Sequence, residues 1–103
     1  MKNLWLTLAL AGAWPMTGLA QTPERLQAGA LAATCANCHG TQGRAVPGSG
    51  VPPLAGMPRE HLLAQLQAFK AGTRPATIMH QLAKGYTDAQ LEQIAAYFAA
   101  QPK

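Results

Sequence analysis

The sequence predicts an all-α domain, and three observations support that prediction. Apolar residues recur at helical spacing in several separate segments. Glycine and proline are concentrated between those segments, where they interrupt regular structure. No segment has the alternation of apolar and polar residues that is typical of a half-buried strand. We therefore expect four or so short helices joined by loops.

The first 20 residues have the pattern of a secretory signal peptide. Lys2 supplies a positive charge, an apolar run extends from Leu4 to Trp14, and small residues precede a cleavage point after Ala20. The apolar run is shorter than the roughly 20 residues that span a bilayer, and Pro15 interrupts it. We expect residues 1–20 to be removed on export to the periplasm of a Gram-negative bacterium, with no membrane span afterwards. Retention as a membrane anchor is the alternative.

The expected mature domain, residues 21–103, is small enough to need support beyond its own apolar core. Domains of this size often depend on a metal, a disulfide or a cofactor. The only cysteines, Cys35 and Cys38, cannot form a framework of several disulfides. The basic residues are scattered, although the chain carries a formal charge of +4, and a nucleic-acid-binding protein normally shows them clustered. The small size therefore favours a bound cofactor, and a nucleic-acid partner is not expected.

The first predicted helix extends from Glu24 to about Ala36 and has an Ala- and Leu-rich apolar face. Gly29 lies inside this helix, where a glycine costs about 1 kcal/mol relative to alanine. We expect it to permit close approach of another helix. Residues 40–57 then form a loop rich in glycine and proline, and so long a loop in a compact domain is usually functional. Wrapping a cofactor is one such function.

Three helical segments are predicted after this loop. Pro58 suits the first turn of a helix that ends before Gly72. A shorter segment runs from about Pro75 to Ala83. The last helix has Thr87 as its N-cap and Gln90 three residues later, the pattern of a capping box. Its apolar stripe consists of Leu91, Ile94, Ala95 and Phe98.

The sequence Cys35-Ala36-Asn37-Cys38-His39 is the signature of covalent haem c attachment. Each thiol can form a thioether with a vinyl group of the porphyrin, and the adjacent His39 can ligate the iron. A structural zinc site is a weaker alternative, since zinc needs four ligands and the chain has no second cysteine pair. A redox disulfide of the thioredoxin type requires a βαβ context, which the helical pattern contradicts.

A second axial ligand is expected, because electron-transfer cytochromes c usually pair histidine with methionine. The candidates after the motif are Met57, His61, Met79 and His80. Met79 lies in a short segment between two helices, which suits a side chain that reaches the haem from the side opposite His39. His80 is the alternative, although neighbouring helical residues point about 100° apart, so both cannot face the iron. A haem enzyme or gas sensor, which needs an open distal position, is less favoured.

Three stretches of the chain resemble the class I c-type cytochromes: Ala33–Gly40, Pro52–Gly56 and the region around Met79. Within that class, Phe69–Met79 and Ala83–Asp88 are similar to the haem subunit of flavocytochrome c sulfide dehydrogenase. The resemblance implies the cytochrome c fold, with short helices wrapped around one covalently bound haem.

The resemblance also implies a role for each site residue. Cys35 and Cys38 would hold the thioethers, His39 would be the proximal ligand and Met79 the distal one. The carbonyl oxygen of Pro52 would accept the proton on His39 Nδ1, a contact that orients the ring.

Further residues acquire expected positions from the same resemblance. Gly29 and Tyr97 would lie near the crossing of the first and last helices. Arg74 and Lys84 flank the Met79 segment, where they would lie near a haem edge or a propionate and help to dock a partner. His80 stands where a small residue is expected in these proteins.

The implied function is periplasmic electron transfer by one haem that cycles between Fe(III) and Fe(II), in a protein that is not itself an enzyme. The implied partner is a flavoprotein (FAD) subunit that oxidises sulfide. Some haem subunits of this kind have two Cys-x-x-Cys-His motifs, whereas this chain has one. A free carrier that serves an oxidase or another redox enzyme is the alternative.

Overall fold

Five α-helices follow one another along the part of the chain that the structure describes. The structure is a computed structural model, and it describes Gly18 and residues 20–103. The helices are α1 (Pro23–Ala33), α2 (Ala36–His39), α3 (Arg59–Ala71), α4 (Met79–Lys84) and α5 (Asp88–Ala99), with a 3-10 turn at Thr41–Gly43. No strand occurs within these residues, and the all-α prediction is confirmed.

The predicted signal peptide lies outside the described residues, apart from Gly18 and Ala20. In the described part, every helix is too short or too polar to serve as a membrane span.

Helix α1 begins as its sequence predicts and ends slightly earlier. The Arg25 N–H donates to Thr22 Oγ1 at 3.3 Å, and a proline occupies the first turn. The backbone beyond Ala33 keeps helical torsion angles, but the Cys35 N–H bonds to the Ala32 carbonyl at 3.0 Å, an i−3 contact. The tighter turn separates α1 from α2, with Cys35 at the N-cap of α2 and Cys38 inside it.

Helices α1 and α5 pack against each other and share the core with α3. The core cluster consists of Ala32, Leu62, Ile94, Ala95 and Phe98. A Cβ atom built on Gly29 would lie 3.6 Å from Tyr97 Cε2. This distance is an ordinary van der Waals contact, so the predicted helix crossing is confirmed. The crossing has room for a methyl group at Gly29.

Helix α3 ends at Gly72, which adopts the left-handed conformation at φ 77°. The Thr73 and Arg74 N–H groups both return to the Ala68 carbonyl, so the chain leaves the helix axis there. The next helix, α4, begins at Met79, later than the predicted start at Pro75.

Helix α5 has the predicted capping box. Thr87 Oγ1 accepts from the Gln90 N–H at 3.2 Å, and Gln90 Oε1 accepts from the Thr87 N–H at 2.9 Å. Both bonds satisfy backbone donors that a helix N-terminus leaves free. The apolar stripe of α5 is buried in full, since Leu91, Ile94, Ala95 and Phe98 are each at most 2% exposed.

Candidate haem-attachment site

The two cysteines lie on one helical turn and are both free thiols. Cys35 precedes α2 and is half-buried, whereas Cys38 lies within α2 and is exposed. Residues three apart on a helix share one face. The pair can therefore bond to two neighbouring positions of one planar molecule.

The environment of Cys35 keeps its thiol protonated. Burial raises the pKa of the Cys35 thiol, the hydrogen bond with Thr34 opposes this effect, and the neighbouring Cys38 adds to it. The thiolate is the reactive form, so unattached Cys35 is a weak nucleophile at neutral pH.

The His39 ring is buried and held by a backbone acceptor. Its Nδ1 atom lies 2.8 Å from the carbonyl oxygen of Pro52, and the residue is only 9% exposed. A carbonyl can only accept, so Nδ1 carries the proton and Nε2 has the free lone pair. This arrangement prepares Nε2 to ligate a metal.

The loop that carries Pro52 is fastened to the rest of the domain at Gly43. The Gly43 carbonyl accepts from the N–H groups of Leu54 at 2.8 Å and Ala55 at 3.1 Å. Gly43 itself is buried, and a Cβ atom there would lie 2.7 Å from Phe98 Cδ1. The loop is therefore pressed against α5, and this packing fixes the position of the Pro52 carbonyl.

Met79 is the first residue of α4 and is partly buried. It lies on a different element from His39, and α4 packs mainly against α3. The other candidate ligands are placed less favourably: Met57 packs against the core cluster, and His61 is exposed. His80 is partly buried, and its Nδ1 atom is buried without a hydrogen-bond partner among the described residues.

The basic residues that flank Met79 have different environments. The Arg74 guanidinium stacks over the Phe69 ring at 4.7 Å and donates to Gln65. Lys84 is exposed and forms no ion pair with any described residue. Arg74 therefore fastens the α3–α4 connection, whereas Lys84 is available to other molecules.

Tyr86 is a residue near the motif that sequence reasoning missed. Its hydroxyl lies 2.6 Å from Thr34 Oγ1, next to Cys35. The two residues are 52 positions apart, and no local pattern connects them.

The residues present fit a covalently attached haem. Two thiols and an oriented imidazole are the protein groups that a c-type haem uses. The protein core in the described residues is small, with eight buried apolar residues of which four are alanine. Large apolar side chains at Val46, Ile78 and Leu82 are exposed by 65%, 56% and 47%. A porphyrin supplies apolar surface that such side chains can contact.

Comparisons with known proteins agree with this chemistry. The chain is 41% identical to cytochrome c4 of Pseudomonas aeruginosa over 102 residues, which is 98% of this chain and 47% of that one. It is 41% identical over 68 residues to the cytochrome subunit of sulfide dehydrogenase of Chlorobaculum tepidum, which is 66% of this chain and 60% of that one. The chain therefore spans about half the length of these relatives.

A solved structure extends the likeness to the fold. The thiosulfate dehydrogenase of Marichromatium purpuratum superposes with a TM-score of 0.70 at 36% identity, covering 76% of this chain and 19% of that one. The family model described as "Cytochrome c" matches residues 26–101. These matches confirm the predicted fold and the haem c cofactor. The chain belongs to the cytochrome c family.

Proposed function

We propose that this chain is a periplasmic electron-transfer protein whose single haem is ligated by His39 and Met79. The haem, when attached through Cys35 and Cys38, supplies one-electron chemistry between Fe(III) and Fe(II). The observation that carries the proposal is the 2.8 Å contact between His39 Nδ1 and the Pro52 carbonyl. A fixed imidazole with Nε2 free is what a permanent axial ligand requires, and ligands that do not exchange suit electron transfer.

Met79 is proposed as the distal ligand because of its position and its exposure. It lies at the start of α4, partly exposed, in a segment whose neighbouring apolar side chains Ile78 and Leu82 face outward. The other methionine among the described residues, Met57, packs against the core cluster. A histidine–methionine pair raises the reduction potential relative to two histidines.

The absorption spectrum of the ferric protein tests this ligand. We expect a far-red charge-transfer band in the wild type, its loss in Met79→Ala, and its retention in His80→Ala. Met57→Leu is the matched control, since it removes a thioether that packs against the core cluster. A wild-type protein without the band, or a band lost in His80→Ala alone, would assign the position to His80.

The proposed electron donor is the flavin subunit of a sulfide dehydrogenase. The likeness to the Chlorobaculum tepidum cytochrome subunit supports this partner. The likeness to the Marichromatium purpuratum thiosulfate dehydrogenase favours a second candidate, an enzyme that oxidises thiosulfate. Co-purification with a flavin-containing chain, and haem reduction by sulfide but not by thiosulfate in the periplasmic fraction, would support the first. Reduction by thiosulfate alone would support the second, and reduction by neither indicates a free carrier.

Lys84 is the proposed docking residue for this donor. It lies in the last turn of α4, close in sequence to Met79, and is exposed. We expect Lys84→Glu to slow haem reduction by the partner and to reverse its salt dependence, since attraction becomes repulsion. Arg25→Glu on α1 is the control with the same charge change. Equal effects of the two variants would show that Lys84 acts only through the net charge of the protein, and would contradict a docking role.

A further inference from the structure

Tyr86 joins the segment that follows α4 to the haem-attachment segment. Its hydroxyl lies 2.6 Å from Thr34 Oγ1, and the Thr34 hydroxyl lies 3.0 Å from the Leu31 carbonyl. A carbonyl can only accept, so Thr34 donates to Leu31 and Tyr86 donates to Thr34. Thr34 is the residue immediately before Cys35, and its Oγ1 lies 3.9 Å from the Cys35 sulfur. The tyrosine therefore reaches the first attachment residue through one side chain.

The backbone of Tyr86 is fixed from two other directions. Its N–H donates to the Ala83 carbonyl of α4 at 3.2 Å. Its carbonyl accepts from Lys70 Nζ of α3 at 2.8 Å, and the same amine contacts Asp88 Oδ1 of α5 at 2.8 Å. The tyrosine hydroxyl is thus carried by a backbone segment that cannot shift without disturbing α3, α4 and α5.

Helix α4 packs mainly against α3, so its position relative to the haem-attachment segment depends on other contacts. It has only six residues, and Ala83 is its one buried side chain. Helices this short are not stable alone, so their position depends on tertiary contacts. The hydrogen bond from Tyr86 to Thr34 supplies a contact of this kind between the end of α4 and the haem-attachment segment.

We propose that the Tyr86–Thr34 hydrogen bond is a latch that holds the Met79 segment against the haem-attachment segment. Tyr86 is then a positioning residue: it acts on the distal ligand by limiting how often α4 moves away. The proposal rests on the proposed ligation by Met79. A latch of this kind sets the fraction of molecules in an open form. In that form α4 has moved away, and the distal position accepts an external ligand.

Imidazole binding to the ferric holoprotein measures that open population. Tyr86→Phe removes only the hydroxyl. We expect the loss of this partly exposed hydrogen bond to raise the apparent imidazole affinity about two- to fivefold. Tyr97→Phe is the matched control, because the Tyr97 hydroxyl has no hydrogen bond to any described residue. We expect no change in the control.

Substitutions at Thr34, whose hydroxyl accepts the hydrogen bond from Tyr86, make the test specific. Thr34→Val should raise the imidazole affinity as Tyr86→Phe does, and Thr34→Ser should restore the wild-type value because it keeps the hydroxyl. The double variant Tyr86→Phe/Thr34→Val should show no more than the single effect, since both remove one interaction. Multiplied effects in the double variant, or an unchanged affinity in Tyr86→Phe, would overturn the latch.

The wild-type spectrum separates this test from that of the proposed ligand. A far-red band together with unchanged imidazole affinity in Tyr86→Phe would refute the latch and leave Met79 as ligand. An absent band in the wild type would refute the ligand, and the latch with it. A merely structural role of Tyr86 would lower the stability to denaturant without raising the native-state imidazole affinity.

Discussion

At the residue scale, Gly43 has no side chain and does not contact His39, yet it helps to orient the His39 imidazole. Its carbonyl accepts two hydrogen bonds from the loop, and its Cα side faces the Phe98 ring. The loop carries Pro52, whose carbonyl holds His39. A residue in the packed contact between the loop and helix α5 therefore acts on the orientation of the His39 imidazole, the proposed proximal ligand.

Gly43→Ala is expected to destabilise the holoprotein by about 2–5 kcal/mol. Two causes add: overpacking against Phe98 costs about 1–3 kcal/mol, and a left-handed non-glycine residue costs about 1–2 kcal/mol. Denaturant unfolding followed by the haem absorbance measures the change.

Gly48→Ala separates these two causes. Gly48 has φ 79°, close to the 78° of Gly43, but a Cβ atom there has nothing within 4 Å. Only the backbone strain applies, so we expect about 1–2 kcal/mol. Equal losses at the two positions would contradict the packing argument.

At the element scale, one substitution in α1, at its crossing with α5, is expected to stabilise the protein. Gly29 lies in the helix interior, where glycine is unfavourable, and the space beside it is compatible with a methyl group. We expect Gly29→Ala to raise the free energy of unfolding by about 0.5–1 kcal/mol and to raise the melting temperature. The opposite substitution at exposed Ala30, Ala30→Gly, should lower it by a similar amount. A destabilised Gly29→Ala protein would mean that the two helices approach more closely than 3.6 Å implies.

The helices were the predictable part of this fold, because each one carries its own signals. Thr87 and Gln90 identify the start of α5 by side-chain chemistry alone. The start of α4 was not predictable in the same way, because its N-cap residue is Ile78, which makes no side-chain capping hydrogen bond. An apolar residue at this position leaves no capping signal in the sequence.

The same distinction applies to the site. Cys35, Cys38 and His39 are adjacent in sequence, so their spacing alone indicates haem attachment. The role of Pro52 was inferred only from the family resemblance, because every residue has a carbonyl oxygen and the sequence does not show which one accepts. The bond between Tyr86 and Thr34 was missed, because residues 52 positions apart meet only in the folded chain.

At the scale of the whole molecule, the domain is expected to depend on its haem for its fold. The buried apolar set in the described residues is small and half alanine, so the chain alone removes little apolar surface from water. We expect removal of the haem to abolish most of the helical circular dichroism and the cooperative thermal transition. Pyridine haemochrome absorbance confirms complete removal, and holoprotein taken through the same steps without haem loss is the control. If the apoprotein keeps a cooperative thermal transition, the protein core alone is sufficient for folding.

The contact between His39 and Pro52 affects how this site tolerates mutation. The acceptor is a main-chain oxygen, so every amino acid at position 52 offers the same atom. Substitutions around it can alter the loop, but none deletes the acceptor. The Leu54 N–H bond to Gly43 fixes the loop just after position 52, so a change in the number of residues between positions 52 and 54 would move the oxygen away from His39. Libraries built on this chain should therefore accept varied side chains at position 52 and reject insertions and deletions between positions 52 and 54.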